Sequence, residues 1–336
     1  RLETAADVPA RIHREDAMSS FVLCVRNKDG DAFGSRSGAP SYLEIPAADT
    51  VPQQRHKAAS YGKWLAAVMA QAVPGSGPNH DIVFLVHGYN TDPPEALKRQ
   101  RLVERELGKR GYPCLVIGFD WPTAGSAAAY VYDREEAQNT AAILVSSGIV
   151  PFAKTARPDC PINVHVMAHS MGGFVVREAF RAMDKARAPG VPDAWRVAQL
   201  VLFAADISSA CFELDHPDML PVFAHCGRLT NYFSGHDEAL GVSNLKNLDI
   251  RARVGRVGMP VDTPGHEKAV DVDCGPRYEK ANITHFEVID GMISHSWYLE
   301  DAVWYDDLAH TLKGQLDRNV IPTRRSVGLN DFVLNP

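Results

Sequence analysis

The stretch "VHVMAHSMGGFVV", residues 164–176, decides the fold because it joins two apolar runs through a single serine. The first run, "INVHVMA" at 162–168, is short and unbroken, which is typical of a parallel strand buried on both faces. The second, "GFVVREAFRAM" at 173–183, has apolar residues at the spacing of an amphipathic helix. The stretch therefore predicts a strand, a tight turn at Ser170 and a helix.

Strand-like and helix-like runs alternate along the chain on both sides of this stretch. The predicted strands cover residues 20–27, 41–46, 81–88, 113–122, 162–168, 198–206, 227–235 and 284–291. The predicted helices cover residues 61–73, 91–111, 132–149, 173–183 and 299–316. This alternation predicts the α/β class, with a mostly parallel, doubly wound sheet and helices on both faces.

The chain divides into three parts. Residues 1–80 form an N-terminal extension that we expect to add extra strands and to pack on the sheet, residues 81–318 form the main α/β domain, and residues 319–336 form a C-terminal tail. Residues 207–226 and 241–280 are longer and less regular, which is typical of short lid-like insertions or pocket walls.

Composition excludes several classes of protein. A content of 45% hydrophobic and 23% charged residues is ordinary for a globular protein, and a net charge of −6 with scattered Lys and Arg argues against nucleic-acid binding. No run approaches the roughly 20 apolar residues of a membrane span, and the N-terminus lacks the apolar core of a signal peptide. We expect a cytoplasmic protein without an integral membrane segment. An exported protein whose leader has been removed stays open, and nothing indicates the oligomeric state.

Neither metal nor nucleotide motifs are present in the sequence. The six cysteines lie far apart without a C-x-x-C pair, and there is no H-E-x-x-H motif. Phosphate-binding glycine loops of the G-x-x-x-x-G-K-[ST] and G-x-G-x-x-G kinds are also missing. We therefore expect no metal and no cofactor.

The motif around Ser170 indicates a nucleophile. In "A-H-S-M-G-G", Ser170 lies between two small residues, Ala168 and Gly172, which lets a strand and a helix approach closely around a strained turn. Ala168 replaces the first glycine of the G-x-S-x-G pattern, and its methyl group is small enough for the same role. The alternative is an ordinary serine that caps the following helix.

A nucleophilic serine needs a histidine base. His295, in "MISHSWY", follows the last predicted strand and precedes the last predicted helix, where the chain order Ser, acid, His places that base. His310 lies inside the final helix and His285 inside a predicted strand. His169 is expected to point away from its neighbour Ser170.

The acid that orients the histidine has two candidates. Asp237, in "SGHDEAL", follows the predicted strand 227–235 and is favoured, because the acid in this chain order usually comes from such a loop. Asp206, which ends "LVLFAAD", is the alternative and would otherwise brace the site.

Two backbone amides and several aromatic residues complete the predicted site. The amide of Met171, at the start of a helix, and that of Tyr89, in "HGYN", are the predicted oxyanion donors. Trp121, Tyr130 and Trp297 are candidates for an apolar substrate pocket, with core packing as the alternative.

The motifs "HGYN", "AHSMGG", "SGHDEAL" and "SHSWY", in that order over about residues 80–316, resemble the α/β-hydrolase superfamily, and within it a bacterial branch of esterase-like or lipase-like serine hydrolases. The resemblance implies that residues 81–318 are a catalytic domain that hydrolyses a small-molecule or lipid-like carboxylic ester through an acyl-enzyme. An acyltransferase or an amidase with the same triad, or an inactive binding module on this fold, stays open.

Overall fold

The architecture was examined in a computed structural model. It describes residues 18–74, 79–123, 130–153, 162–186, 195–214, 216–241, 252–261, 263 and 267–336, with only the backbone of residues 130–131.

One ten-stranded sheet organises the chain. Its strands are β1 (Ser20–Asp29), β2 (Ala32–Ile45), β3 (Asp81–Val86), β4 (Cys114–Asp120), β5 (Val164–His169), β6 (Val197–Phe203), β7 (Cys226–Phe233), β8 (Ala269–Asp273), β9 (Arg324–Ser326) and β10 (Asp331–Leu334). Their order in the sheet is β2-β1-β4-β3-β5-β6-β7-β8-β10-β9. The eight inner strands pair in parallel, and β2 and β9 pair antiparallel at the two ends.

Helices cover both faces of the sheet. They are α1 (Tyr61–Ala72), α2 (Pro93–Lys109), α3 (Tyr130–Ile143), α4 (Val150–Ala153), α5 (Met171–Ala186), α6 (Leu220–His225), α7 (Val254–Val257), α8 (Gly275–Ala281), α9 (Ile293–Ser296) and α10 (Ala302–Lys313), and a π-helical stretch joins α3 to α4. None of the described helices is long and apolar enough to cross a bilayer.

The core is split by the sheet. Alternate residues of β3 point to opposite faces, so that Ile82 and Phe84 pack with α1, α3 and α5, whereas Val83 and Leu85 pack with α2 and α10. A strand with apolar residues on both faces can only sit between two helical layers. The predicted fold class, a mostly parallel doubly wound sheet with helices on both faces, is therefore confirmed.

Both ends of the described chain extend the sheet. The hairpin β1–β2 pairs with β4, and residues 324–334 of the C-terminal tail supply β9 and β10. Arg324 of β9 forms a buried ion pair of 2.9 Å with Asp307 of α10, and the Tyr232 hydroxyl donates to the same carboxylate at 2.6 Å. This cluster anchors the C-terminal strands to the core.

Between β7 and α9 the structure differs from the sequence-based prediction. Residues 284–291 form no strand, although their apolar alternation predicted one. The eighth strand instead comes from 269–273, within a segment predicted to be irregular. Its "AVDVD" sequence is too short and too acidic to stand out as a strand, but Val270 and Val272 are buried between neighbours.

Candidate active site

Ser170 lies at a sharp turn between β5 and α5. Its backbone is left-handed, with φ at 54°, which is strained for a residue with a side chain. The turn is so tight that a Cβ on Gly172 would collide with the carbonyl oxygens of Val86 and His87. A Cβ on Gly88 would lie only 2.8 Å from the Cβ of Ser170. Glycine is therefore required at position 172 in the turn and at position 88 in the facing loop after β3.

His295 and Asp237 are in direct contact. His295 lies on α9, and its Nδ1 is 2.7 Å from Oδ2 of Asp237, in the loop after β7. Because a carboxylate accepts hydrogen bonds, Nδ1 carries the proton and Nε2 keeps a lone pair. Asp237 is completely buried, so its charge is poorly screened where it faces the ring.

Asp206 has a different partner. Its Oδ1 is 3.2 Å from Nε of Arg253, and both side chains are buried. Its amide donates to the carbonyl oxygen of Ser170 at 2.9 Å, which braces the turn. Of the two candidate acids, the structure brings Asp237 to His295 and Asp206 to an arginine.

A segment missed by the sequence reasoning supports both acid loops. Residues 252–259, here called the buttress segment, lie against the ends of β6 and β7. Gly255 donates its amide to Ala205 at 3.1 Å and accepts from the amide of Ser234 at 3.0 Å. Arg253 pairs with Asp206, and Arg256 donates to the carbonyl oxygen of Asp237.

Asp271 of β8 holds the buttress segment in place. It accepts from the side chain of Asn231 at 2.7 Å and from the amide of Met259 at 2.5 Å. Burial raises the pKa of Asp271 to about 7, against the effect of these two hydrogen bonds, which lower it.

Contacts of His87 and Thr91, at the two ends of the loop after β3, position the loop and its residue Tyr89. His87 Nε2 is 3.2 Å from Oδ1 of Asp120, and Arg26 of β1 pairs with the same oxygen at 2.6 Å. Arg26 also donates to the carbonyl oxygen of Thr91 at 2.8 Å. Burial lowers the pKa of His87, although the hydrogen bond to Asp120 opposes this effect.

The loop before His295 is tied to α2. Arg99 Nε is 2.8 Å from Oε1 of Glu95, and its guanidinium also donates to the carbonyl oxygen of Asp290. The amide of Asp290 donates back to Glu95 at 2.9 Å. Glu95 and Arg99 of α2 therefore determine the position of the backbone at Asp290, just before α9.

Ser170 and His295 open onto one pocket of about 870 Å³. Four regions supply most of the wall, with charged and apolar side chains: the β1–β2 hairpin, the loop after β3 with α2, the segment 239–240, and the loop 290–296. Residues after β4, at the serine turn and after β6 complete it. The members are Arg26, Asp29, Phe33, Gly34, Ser35, Tyr89, Asn90, Thr91, Asp92, Pro93, Glu95, Arg99, Thr123, His169, Ser170, Asp206, Ala239, Leu240, Asp290, Gly291, Met292, His295 and Ser296. The wall combines charged side chains such as Arg99 and Asp290 with apolar side chains such as Phe33 and Leu240.

Trp121 and Trp297, two of the aromatic residues predicted to line the pocket, do not do so. Trp121 is fully buried, stacks on His87 at 5.5 Å and donates its ring N–H to the carbonyl oxygen of His87 at 2.8 Å. Trp297 is fully buried against Tyr298. The prediction was wrong for these two residues because large aromatic side chains near strand ends also fill the core. The side chain of Tyr130 lies outside the described part of the structure.

The predicted oxyanion donors flank Ser170. Met171 is the first residue of α5, so its amide is among those that have no carbonyl partner within the helix. Tyr89 lines the pocket in the loop opposite. The hairpin residues Arg26 and Phe33 escaped the sequence reasoning, because only the pairing of β1 with β4 brings them to the site.

His169 also differs from expectation. It lines the same pocket as Ser170, and its ring lies 4.7 Å from that of His295. The sequence reasoning had turned this side chain away from the site.

One group of possible metal ligands occurs among the described residues, outside the pocket wall. Ligand atoms of Cys211, His216 and Asp218 lie within 4.8 Å of one another. Arg181 pairs with Asp218 at 3.0 Å, and Arg177 donates to Cys211 at 3.1 Å. Two guanidinium groups at the same atoms oppose a cation there.

Comparison with known proteins assigns the family. A family model described as an alpha/beta hydrolase of unknown function (DUF900) matches residues 60–312. The chain belongs to this family, and the resemblance to the α/β-hydrolase superfamily seen in the sequence is confirmed. A search of curated proteins finds no significant match.

Solved structures with a similar fold include hydrolases. A Lactobacillus plantarum protein assigned as a cell surface hydrolase is 12% identical, with 73% of this chain and 96% of that chain covered and a TM-score of 0.34. An esterase from Pyrobaculum calidifontis is 14% identical, with 72% and 77% covered and a TM-score of 0.32. Lipase B from Aspergillus fumigatus is 12% identical, with 65% and 49% covered and a TM-score of 0.27. The assignment rests on the family match alone.

Proposed function

We propose that this chain is a serine hydrolase that cleaves carboxylic esters through an acyl-enzyme. The observation that carries the proposal is the contact of 2.7 Å between His295 and the buried Asp237, on a pocket that also holds Ser170 in a left-handed turn. A strained serine, an oriented histidine and a buried carboxylate are the groups that acyl transfer to serine requires.

In the first half of the reaction the Ser170 hydroxyl attacks the ester carbonyl. The lone pair on Nε2 of His295 accepts the hydroxyl proton, and the imidazolium then returns a proton to the departing alcohol. Asp237 stabilises the imidazolium, because its charge is buried and lies 2.7 Å from Nδ1. The products of this half are the free alcohol and Ser170 acylated on its oxygen.

The negative charge that develops on the carbonyl oxygen needs donors already in place. The amide of Met171 is suited to this role because it lies at the N-terminal end of α5, where the helix dipole also favours an anion. The amide of Tyr89 is the second donor. The contacts of Arg26 and His87 with Asp120 keep its loop in position.

In the second half of the reaction water replaces the alcohol. His295 removes a proton from the water, the hydroxide attacks the acyl carbon, and the returning proton frees the Ser170 oxygen and the carboxylic acid. The pocket of about 870 Å³, with charged and apolar side chains in its wall, supports a small-molecule ester as substrate.

The test is hydrolysis of p-nitrophenyl esters from acetate to long acyl chains, measured for the wild type and Ser170→Ala in parallel. We expect a loss in kcat of about 10⁵- to 10⁶-fold in the variant, and the chain length of the best substrate measures the size of the acyl pocket. Ser208→Ala, at another buried serine, is the matched control and is expected to keep its activity. Near-normal turnover by Ser170→Ala, or failure of a fluorophosphonate to label Ser170, would sink the mechanism.

A further inference from the structure

His169 links the chain of Ser170 to the helix of His295. Its Nε2 lies 3.1 Å from the main-chain carbonyl oxygen of His295, and the two ring centroids are 4.7 Å apart. The ring also packs on Phe203 of β6 at 5.0 Å. The side chain is only 4% exposed and lines the pocket.

The hydrogen-bond acceptors of His169 and His295 determine which ring nitrogen of each residue carries the proton. A carbonyl oxygen only accepts, so His169 must donate from Nε2, which leaves its Nδ1 without a proton. His295 donates from Nδ1 to Asp237, which leaves its Nε2 free to accept. The two histidines therefore carry their protons on different nitrogens, and each assignment follows from a different acceptor.

The short helix α9 needs support from outside. It has four residues, Ile293–Ser296, and the described backbone contacts of His295 include a bond from its amide to Met292 at 3.1 Å. A single turn is weakly stabilised by its own hydrogen bonds. Asp237 holds the ring of His295, but the position of its backbone depends on other contacts.

We propose that His169 is a positioning residue, whose Nε2–H holds the carbonyl of His295 and so fixes the separation between Ser170 and the His295 ring. Because His169 directly precedes Ser170, one hydrogen bond joins the chain of the nucleophile to the backbone of the base. This inference rests on the proposed function.

The link needs a proton on Nε2 of His169, which a neutral ring carries there only while Nδ1 is bare. Burial lowers the pKa of His169 well below its usual value, and positive charge on His295 and Arg99 lowers it further, whereas the hydrogen bond to the carbonyl oxygen of His295 raises it. The ring is therefore uncharged near neutral pH, and His169 itself adds no positive charge beside His295 when His295 takes up a proton.

Two variants separate the hydrogen bond from the ring. In His169→Gln, the amide nitrogen can replace Nε2 as a donor, and we expect kcat for a p-nitrophenyl ester to stay within about threefold of the wild type. In His169→Phe the ring remains but the donor is lost. We expect kcat to fall by up to about a hundredfold, since small displacements of a catalytic group cost that much.

A second measurement does not depend on turnover. The proton that His295 Nδ1 shares with Asp237 can be followed by NMR in protein with labelled histidine. We expect its signal to broaden and exchange faster with water in His169→Phe, but to stay sharp in His169→Gln. The signal reports on the link even if ester hydrolysis fails, so the two proposals can fail separately.

His165 supplies the matched control. It lies on the same strand and is buried, and its Nε2 is 3.1 Å from the Tyr112 hydroxyl. The same pair of substitutions there should lower stability without changing kcat or the NMR signal. The inference is overturned if His169→Phe keeps the wild-type NMR signal, or if His169→Gln and His169→Phe lose kcat equally.

Discussion

Two neighbouring loops of the site carry the same kind of residue and use it differently. The loop after β6 holds Asp206 and the loop after β7 holds Asp237, and both carboxylates are buried. Asp237 contacts His295, whereas Asp206 contacts Arg253. Parallel strands bring both acids to the same edge of the sheet, so position alone does not decide their roles.

The buttress segment accounts for the difference. An arginine of this segment contacts each loop. Arg253 forms an ion pair with the carboxylate of Asp206, whereas Arg256 donates a hydrogen bond to the backbone carbonyl oxygen of Asp237. The carboxylate of Asp237 is thereby left to orient His295. The comparison indicates that a buried carboxylate can orient the histidine when the nearest arginine binds a backbone carbonyl oxygen and not the carboxylate itself.

Among the substitutions that test this difference, Asp237→Asn should have the largest effect on kcat. An amide cannot stabilise the imidazolium and also permits the wrong tautomer of His295, so we expect kcat to fall by about 10⁴-fold. Steady-state kinetics on a p-nitrophenyl ester measure the loss. A smaller loss than in Asp206→Asn would transfer the role of acid to Asp206.

Asp206→Asn should act on stability. The substitution removes the charge that faces Arg253, and a buried cation that loses its counter-charge costs about 3 kcal/mol of unfolding free energy. Activity per folded molecule should fall by less than about tenfold. Urea unfolding measures the first quantity, and kinetics corrected for the folded fraction measure the second. Unchanged stability would contradict the assigned pairing.

Gly255→Ala tests the buttress segment itself. A Cβ there would lie inside contact distance of the backbone of Ala204 and Ala205, so the segment must shift. We expect a loss of about 2 kcal/mol in unfolding free energy, with reduced kcat because both acid loops move. Gly235→Ala, in the loop after β7, is the control, since a Cβ there meets nothing within 4 Å. Equal effects of the two substitutions would argue against the buttress.

The smallest expected effect is a pH dependence through Asp271. Its pKa of about 7 in the folded protein exceeds the value of about 3.9 for an unfolded chain. The folded state therefore holds the extra proton between these values, and stability falls as the pH rises from about 4 to about 7. Because an amide does not titrate in this range, we expect Asp271→Asn to flatten this fall. Urea unfolding at pH 5, 6, 7 and 8 compares the two proteins, and parallel curves would refute the assignment.

The serine turn and the fold class could be predicted from the sequence because both depend on local patterns. An apolar run, small residues at 168 and 172, and a helical run together determine the turn at Ser170. His295 and Asp237 followed from chain order, even though the strand predicted over 284–291 is missing. Their catalytic roles stay predictions until the variants are measured.

The walls of the site could not be predicted, because they depend on contacts between distant parts of the chain. Arg26 reaches Asp120 only because β1 lies beside β4, and the buttress segment falls in an irregular region. The aromatic residues Trp121 and Trp297 were misplaced for a related reason. An apolar side chain near a strand end fits the core as well as a pocket, and only tertiary packing decides between them.

The anchoring of β9 and β10 bears on how the protein is made. A growing chain that has reached Lys313 already contains Ser170, Asp237 and His295, yet the edge of β8 is open and the buried Asp307 lacks Arg324. Open strand edges pair readily with other chains. Residues 324–334 therefore cover the edge of β8 and supply Arg324 to Asp307 only at the end of synthesis, when the catalytic candidates are already in the chain.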